Sequence, residues 1–347
     1  MISGQQFGGK ITPELISEYS KSPNWKNNSF QNSVETAAAP GLSKFPSIIY
    51  KQIKGHKNQF PSKQIEINLP DWENFRKEEE QFFWFGHSAM LLQLSGKTIL
   101  IDPMLGNNAA PVAPFAIKRF SENTLSIADR VPAVDIILIS HDHYDHLDYA
   151  SIVKLLSKTS KFFVALGVKR HLVRWGANSE KIVEFDWWDS REFDGIHVHF
   201  TPTRHFAGRG LSDRGKSFWG GWYIESESSK IWFSGDSGYG EHFKEIGDKL
   251  GPPDIAFMEC GQYCLDWPQI HMFPKESVQA ALDVGVKTAI PVHWAGFSLS
   301  YQHSWFEPAE EFFNYAKQFG LNVSFPHPGD SFKKSSIIAP YWWNKYI

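Results

Sequence analysis

The chain has 347 residues, of which 42% are apolar and 21% are charged, and its formal net charge at pH 7 is −3. This composition is that of a globular protein, and the length does not require two domains. The lysines are scattered along an acidic chain and build no basic patch, so no nucleic-acid partner is expected.

Two cysteines, Cys260 and Cys264, are too few for a disulfide scaffold, and we expect free thiols in a reducing compartment. The first fifteen residues, MISGQQFGGKITPEL, lack the basic and apolar regions of a signal peptide. No stretch approaches the ~18 apolar residues that cross a bilayer. The expected location is therefore the cytoplasm, with peripheral attachment to a membrane left open.

Residues 1–78 differ from the rest of the chain and are predicted to form an arm packed on the domain that follows. Asn, Gln, Ser, Lys and Pro dominate there, and apolar periodicity is weak. Apolar islands around Ile48 and Ile49 indicate that the arm docks. Docking on a membrane and docking on a second subunit, which would give a homodimer, both stay open. Residues 79–347 contain no linker and are predicted to be one domain.

From residue 80 short apolar runs alternate with helical patterns. Residues 81–102 predict three strands with a tight Ser95-Gly96-Lys97 turn, and residues 134–140 predict a strand buried on both faces. A helix is predicted over 149–158. Further strands are predicted in KFFVAL, KIVEF, IHVHFTP, FWGGWYIE, KIWFSGD, DIAFMEC, TAIPVHW and NVSF, and helices in EHFKEIGDKLG, KESVQAALDVG and PAEEFFNYAKQFG. This order predicts an α+β fold with two packed sheets and helices outside.

The segment ILISHDHYDHLDYASI, residues 137–152, places histidines and aspartates directly after an apolar strand. In an extended HxH pair both side chains point the same way, so two imidazoles can reach one ion. A polar turn with a capping aspartate accounts for Asp148 but not for three histidines at this spacing. Imidazole and carboxylate suit zinc, and also iron or manganese. The candidate ligands in the pattern HxHxDH are His141, His143, Asp145 and His146.

Three more candidates share one context, a histidine or aspartate at the end of an apolar strand: His205, Asp236 and His293. Each alone could be a structural hydrogen-bonding residue. Together they complete seven ligands, in which His141, His143 and His205 hold one ion, Asp145, His146 and His293 hold another, and Asp236 bridges the two. His197 and His199 alternate on one strand and compete as a pair, but an exposed strand face explains them more simply.

This ordered set resembles the metallo-β-lactamase superfamily, whose four-layer αββα sandwich carries two metals at one edge. The similarity extends over residues 80–330. A closer resemblance is to the N-acyl phosphatidylethanolamine phospholipase D branch, and EFDWW, RHFAGRG and VHWAGF indicate that branch. The longer segments that carry it are WFGHSAMLLQLSGKTILIDP, IKRF, ADRVPAVDIILISHDHYDHLDYASI, EFDWWD, TPTRHFAGRGLSDRGKSFWGGW, FSGDSGYGEHFKEIGDKLGPPDIA, IHMFPKESVQAA and PVHWAGFSLS.

The resemblance implies a dinuclear zinc phosphodiester hydrolase of the phospholipase D type, acting on a small-molecule or lipid substrate. A metal-bridged hydroxide would attack phosphorus and release an N-acylethanolamine-type alcohol and a phosphatidic acid. Asp145 and His271 are the expected catalytic residues, with His271 as the general acid. Asp142 and Tyr144 alternate with the candidate ligands and are expected to point away from the ions, and Asp142 is expected to orient a ligand imidazole from behind.

Substrate contacts are expected from two kinds of residue. Arg209 and Lys216 would stabilise charge on the transition state. Aromatic side chains would wall a groove for acyl chains, and two or three of the following candidates are expected to line it: Trp188, Trp219, Trp222, Tyr263, Trp267, Trp294 and Phe297.

Two other functions stay open. A lactonase or another ester hydrolase could use the same metals, since sugar-phosphate lactonases share a similar ligand order, and it would show a small polar pocket. A metal-binding sensor or interaction protein without turnover is the third alternative, and the complete ligand set argues against it.

Overall fold

The computed structural model describes residues 4–37, 45–73, 75, 79–110, 116–210 and 212–347. The strands are β1 (Trp25–Lys26), β2 (Ser29–Phe30), β3 (Gln81–Trp84), β4 (Met90–Leu94), β5 (Lys97–Ile101), β6 (Val134–Ile139), β7 (Thr159–Ala165), β8 (Ile182–Phe185), β9 (Ser190–Phe193), β10 (Ile196–Thr201), β11 (Gly221–Glu225), β12 (Lys230–Phe233), β13 (Ile255–Glu259), β14 (Thr288–Val292) and β15 (Ser331–Phe332). The α-helices are α1 (Pro13–Tyr19), α2 (Phe45–Lys54), α3 (Ser126–Arg130), α4 (Tyr149–Leu155), α5 (Lys169–Arg174), α6 (His242–Leu250), α7 (Pro274–Val284) and α8 (Glu307–Phe319).

Among the described residues, two large mixed sheets are present. One has the order β15-β3-β4-β5-β6-β7-β8, and the other has the order β14-β13-β12-β11-β10-β9. In the first, β5 and β6 are parallel, and two antiparallel pairings make β3 run the same way. In the second, β12, β13 and β14 are parallel, and two antiparallel pairings again make β10 run the same way. In each sheet the carboxyl ends of these strands therefore lie at one edge.

The two sheets pack face to face around one apolar core. Phe185 of β8 meets Trp222 of β11 with ring centroids 5.2 Å apart, and Phe257 of β13 meets Phe332 of β15 at 6.3 Å. Helices α6 and α8 both contact α7, and α7 contacts β13. The prediction of an α+β fold with two sheets flanked by helices is confirmed.

Local sequence explains most element boundaries. The three strands predicted over 81–102 form β3, β4 and β5, and Ser95 and Gly96 adopt φ of 50° and 73°, the left-handed pair that a two-residue hairpin needs. Helix α7 starts with Pro274 and stops at Gly285, whose φ is 81°.

One predicted strand is absent, and strands β1, β2, β9 and β15 were not predicted. The predicted strand NVSF is absent: Val323 forms an isolated bridge to Ala289, and two residues later the N–H of Phe325 donates to the carbonyl oxygen of Ile338 instead. Strand β9 was not predicted, because SREF is a mostly exposed edge strand without an alternating apolar face.

The arm predicted at residues 1–78 lies partly outside the described residues, namely at 1–3, 38–44, 74 and 76–78. In its described part, Tyr19 and Ile65 are buried in the core, and Phe30 stacks on Phe218 with ring centroids 4.8 Å apart. The domain boundary near residue 78 stays a prediction.

Both cysteines are buried and free, as predicted. Across the ranges that the structure describes, the helices are too short or too polar to reach from one face of a bilayer to the other.

We expect Trp222→Ala to lower the free energy of unfolding by about 3–5 kcal/mol, because it empties the space between the two sheets. Trp222 is fully buried and also packs on Phe200 at 4.6 Å. Urea denaturation measures the change, and Leu265→Ala, at a side chain that is 71% exposed, is the control with a change within about 0.5 kcal/mol. A cost below about 1 kcal/mol at Trp222 would contradict the face-to-face packing.

Candidate metal centre

The candidate ligands follow strands whose carboxyl ends share an edge. Residues 141–146 follow β6 of the first sheet, whereas His205, Asp236 and His293 follow β10, β12 and β14 of the second. Since the two sheets face each other, their edges bring all of these side chains to one place.

Three imidazoles form the first group of this cluster. His141 Nε2 lies 2.9 Å from His143 Nδ1, and His143 Nδ1 lies 3.2 Å from His205 Nε2. These nitrogens face one another, and mutual hydrogen bonds cannot satisfy all three. A cation between them is the arrangement that uses every lone pair.

Asp145, His146 and His293 form the second group. His293 Nε2 lies 3.3 Å from both His146 Nε2 and Asp145 Oδ2, and His146 Nε2 lies 3.6 Å from the same carboxylate oxygen. One carboxylate and two imidazoles therefore point at one position.

Asp236 lies between the two groups. Its Oδ2 is 3.1 Å from His146 Nε2 and 3.3 Å from His293 Nε2 in the second group, and 3.9 Å from His141 Nε2 and 3.7 Å from His205 Nε2 in the first. Its Oδ1 is buried and has no hydrogen-bond partner among the described residues. A buried carboxylate oxygen is costly to leave unpaired, so this atom fits a site that receives a cation.

Outer partners fix which nitrogen of each ring faces inward. His146 Nδ1 donates to Asp102 Oδ2 at 2.8 Å, and His205 Nδ1 donates to the carbonyl oxygen of Ile270 at 3.0 Å. The proton of each ring is thereby held outside, and Nε2 presents its lone pair to the cluster. This is how metal-binding histidines are oriented in proteins.

The charge balance of the cluster also favours cations. Burial holds the pKa of His141 and of His205 well below the ordinary histidine value, which leaves both rings neutral, the form that binds metal. Burial alone would lower the pKa of His293 too, but the carboxylates of Asp236 and Asp145 raise it to about 10. These two carboxylates make the second group a place of negative potential.

His271 lies beside this cluster in a pocket of about 290 Å³, which is also lined by Trp267 and Arg214. Its Nδ1 is 2.9 Å from Glu259 Oε1, a carboxylate that is fully buried. The rings of His271 and His293 stack with centroids 5.2 Å apart. Because Glu259 accepts from Nδ1, Nε2 of His271 is left for chemistry in the pocket.

Four of the predicted substrate residues do not line this pocket. Arg209 is buried and donates to the carbonyl oxygens of Asp142 and Leu147 at 2.7 and 2.8 Å. Lys216 donates to the carbonyl oxygen of Asn28 and lies over the ring of Trp25.

Trp219 donates from Nε1 to Asn32 Oδ1 at 3.0 Å, and Tyr263 donates to Glu307 Oε1 at 2.7 Å. Hydrogen bonds within the fold thus occupy the polar atoms of both aromatic side chains. Of the predicted aromatic walls, Trp267 is the one that lines the pocket.

The expected role of Asp142 is wrong, because its carboxylate contacts none of the seven candidates. It accepts from the backbone N–H of Gly208 at 2.7 Å and lies 3.1 Å from His171 Nε2. Asp142 therefore ties the loop after β10 to the loop after β6. Tyr144 points away from the seven candidates, as expected, and donates to the carbonyl oxygen of Arg209.

Sequence reasoning missed four residues of the site: His87, Asp102, Arg214 and Glu259. His87 Nε2 lies 2.8 Å from Asp145 Oδ2, and Asp102 and Glu259 accept from rings of the cluster and the pocket. The sequence context could have identified three of them. His87, Asp102 and Glu259 each stand at the end of an apolar strand, as the predicted ligands do.

His197 and His199 lie on an outer face of β10, as expected. His197 is exposed, and His199 Nε2 pairs with Glu225 Oε2 at 2.9 Å. They do not join the cluster.

Comparison with known proteins identifies the family of the chain. A family model described as a beta-lactamase superfamily domain matches residues 97–294. An uncharacterized protein of Mycobacterium tuberculosis (strain ATCC 25618 / H37Rv) is 34% identical over 93% of this chain and 88% of its own length. The N-acyl-phosphatidylethanolamine-hydrolyzing phospholipase D 1 of Caenorhabditis elegans is 28% identical over 90% of this chain and 89% of its own length.

Solved structures show the same fold. Igni18, a metallo hydrolase from the hyperthermophilic archaeon Ignicoccus hospitalis KIN4/I, matches 73% of this chain and 97% of its own chain, with a TM-score of 0.56 at 21% identity. The chain therefore belongs to the beta-lactamase superfamily, and it is a metal-dependent hydrolase with the metallo-β-lactamase fold.

Proposed function

We propose that this hydrolase is a dinuclear phosphodiesterase of the phospholipase D type that acts on N-acyl phosphatidylethanolamine or a related lipid. One observation carries the proposal: the pocket of the metal centre adjoins a large apolar cleft, and Leu299 lines both. A polar reaction site joined to an apolar cleft matches a substrate with a phosphodiester head and acyl chains.

The cleft has a volume of about 1060 Å³. This volume is at the upper end of the range of small-molecule binding pockets. One of its walls is helix α2, which contributes Ile49 and Ile53, and Phe60 adds a further apolar side chain. These three side chains are 53%, 73% and 62% exposed. Exposed apolar side chains at the mouth of a cleft favour contact with a lipid surface, so we include peripheral membrane contact in the proposal.

The loop that separates the cleft from the metal pocket is held firmly. Gln262 Oε1 accepts from the backbone N–H groups of Leu299 and Ser300 at 2.7 and 3.1 Å. Gln262 Nε2 donates to the carbonyl oxygens of His293 and Phe297 at 3.2 and 3.0 Å. The position of Leu299 is therefore tied to that of a candidate metal ligand.

The metal assignment within the proposal is two Zn²⁺, with iron or manganese suited to the same donors. His141, His143 and His205 would hold one ion, Asp145, His146 and His293 the other, and Asp236 would contact both. Bound there, the ions would lower the pKa of a shared water and stabilise charge on a phosphoryl oxygen.

The reaction exchanges one P–O bond for another. The oxygen of water forms a bond to phosphorus, the bond from phosphorus to the ethanolamine oxygen breaks, and the products are phosphatidic acid and an N-acylethanolamine. The departing alkoxide takes up a proton, and the candidate donor is Nε2 of His271 in its doubly protonated form, with Nδ1 donating to Glu259. The proton that the attacking water loses balances the one that the alkoxide gains and restores His271. Arg214, at the pocket wall, adds positive charge near the phosphate.

The experiment that tests the proposal incubates zinc-loaded protein with vesicles that contain N-acyl phosphatidylethanolamine. We expect equimolar release of phosphatidic acid and N-acylethanolamine, measured by mass spectrometry. Hydrolysis of sugar-phosphate lactones with no release from the lipid would contradict the proposal and favour a lactonase.

Asp145→Asn should reduce turnover of bis-p-nitrophenyl phosphate by about 100-fold or more. The reason is that the change removes the negative charge of Asp145, the carboxylate of the second group, whereas Asp236 lies between both groups. The change in the free energy of unfolding in urea should be small by comparison. A loss of folding stability that accounts for the whole loss of activity would show that Asp145 has a structural role.

His271→Ala should reduce turnover by about 10²–10⁴-fold, the usual worth of a positioned general acid. Metal content, measured by elemental analysis, should stay as in the unchanged protein. A ring nitrogen of His271 also lies near His205 and Asp236, close enough for all three residues to hold an ion. Loss of metal in this variant would therefore identify His271 as a ligand.

Ile53→Asp should lower the ratio of lipid hydrolysis to bis-p-nitrophenyl phosphate hydrolysis by about tenfold or more, because a carboxylate in the cleft opposes burial of acyl chains. Ile337→Asp is the matched control, since Ile337 is 66% exposed and lies outside the cleft. Equal ratios in both variants would show that the cleft does not receive acyl chains.

A further inference from the structure

We propose that His87 is a positioning residue that holds Asp145 and His293 in place for the second cation, the one assigned to Asp145, His146 and His293. This inference rests on the dinuclear centre of the proposed function, and it does not depend on the lipid substrate. It concerns a residue outside the seven candidate ligands.

The side chain of His87 touches both residues. Its Nε2 lies 2.8 Å from Asp145 Oδ2, and its ring packs on the ring of His293 with centroids 4.2 Å apart. His87 is fully buried, and its Nδ1 has no hydrogen-bond partner among the described residues. A carboxylate only accepts, so the ring proton sits on Nε2 and is donated to Asp145.

The backbone of His87 adds a second link. Its carbonyl oxygen accepts from the N–H of His293 at 2.9 Å, and its N–H donates to the carbonyl oxygen of Trp294 at 2.8 Å. This pair of hydrogen bonds joins the turn after β3 in one sheet to the loop after β14 in the other. His87 and His293 have φ of 56° and 68°, left-handed values that a non-glycine residue keeps only where its surroundings impose them.

Close packing leaves the ring little freedom. A Cβ added at Gly296 would lie 2.6 Å from the Cβ of His87, so the loop and this side chain already approach as closely as glycine allows. Phe297 packs edge-on against the ring at 5.1 Å. The ring of His87 therefore acts as a fixed spacer between Asp145 and His293.

The effect should be confined to one of the two ions. Among the described residues, His141, His143 and His205, the candidates for the first ion, make no hydrogen bond to His87, and their rings pack on other partners. Loss of the His87 ring would free one oxygen of Asp145 and open space beside His293. The second ion would then bind to ligands that are no longer pre-positioned.

The test compares His87→Gln with His87→Met by zinc titration of metal-free protein, with calorimetry and elemental analysis as readouts. Gln can still donate toward Asp145 from a position close to Nε2, whereas Met fills the space without a donor. We expect His87→Met to weaken the second zinc roughly 10–100-fold and leave the first unchanged, the usual effect of losing a residue that orients a ligand. His87→Gln should restore most of the affinity.

His303→Met is the matched control, because His303 is also buried and lies outside the metal pocket. Two zinc ions bound with unchanged affinity by His87→Met would overturn the inference, as would equal losses in the Gln and Met variants or the same loss in His303→Met. If His87→Met does not fold, His87→Asn replaces it, since Asn is too short to reach Asp145. Failure of the unchanged protein to bind two ions would refute the proposed dinuclear centre instead.

Discussion

The common direction of β3, β5 and β6 in one sheet and of β10, β12, β13 and β14 in the other is the constraint on which the site depends. Strands that run the same way end at the same edge, so residues far apart in the chain meet without any long loop. The face-to-face packing of Phe185 on Trp222 then fixes the spacing between the two edges. Stability of the core and geometry of the site are thus consequences of one arrangement.

Residues behind the candidate ligands hold their side chains in fixed orientations, so that defined nitrogen and oxygen atoms face the centre of the cluster. Asp102 and the carbonyl oxygen of Ile270 hold the outward nitrogens of His146 and His205, and Glu259 does the same for His271. Each ring is therefore aimed before any ligand arrives, which limits the reorganisation that binding or reaction requires. The same arrangement leaves buried polar atoms, such as Asp236 Oδ1, without a hydrogen-bond partner among the described residues, and such atoms suit a cation.

Much of this could be predicted from the sequence, for physical reasons. Apolar runs with period two and tight turns predict strands, and a histidine or aspartate after such a run marks a strand end, the context that predicts His205 and Asp236 as candidates. Asp102 also follows an apolar strand, but it could not be assigned to the site, because a sequence does not show which strand ends lie at the same edge of a sheet. Arg209 and Arg214 lie in one loop, and only its folded path places Arg214 at the pocket and Arg209 in the interior.

A chemical change or substitution at Gln262 would affect two parts of the site. One amide group makes four hydrogen bonds, two as donor and two as acceptor, and it joins the support of His293 to the wall formed by Leu299. Deamidation, or a glutamate in its place, would set a negative oxygen against two carbonyl oxygens and drive them apart. Loss of this single amide would therefore displace the loop that carries His293 and the wall formed by Leu299 together.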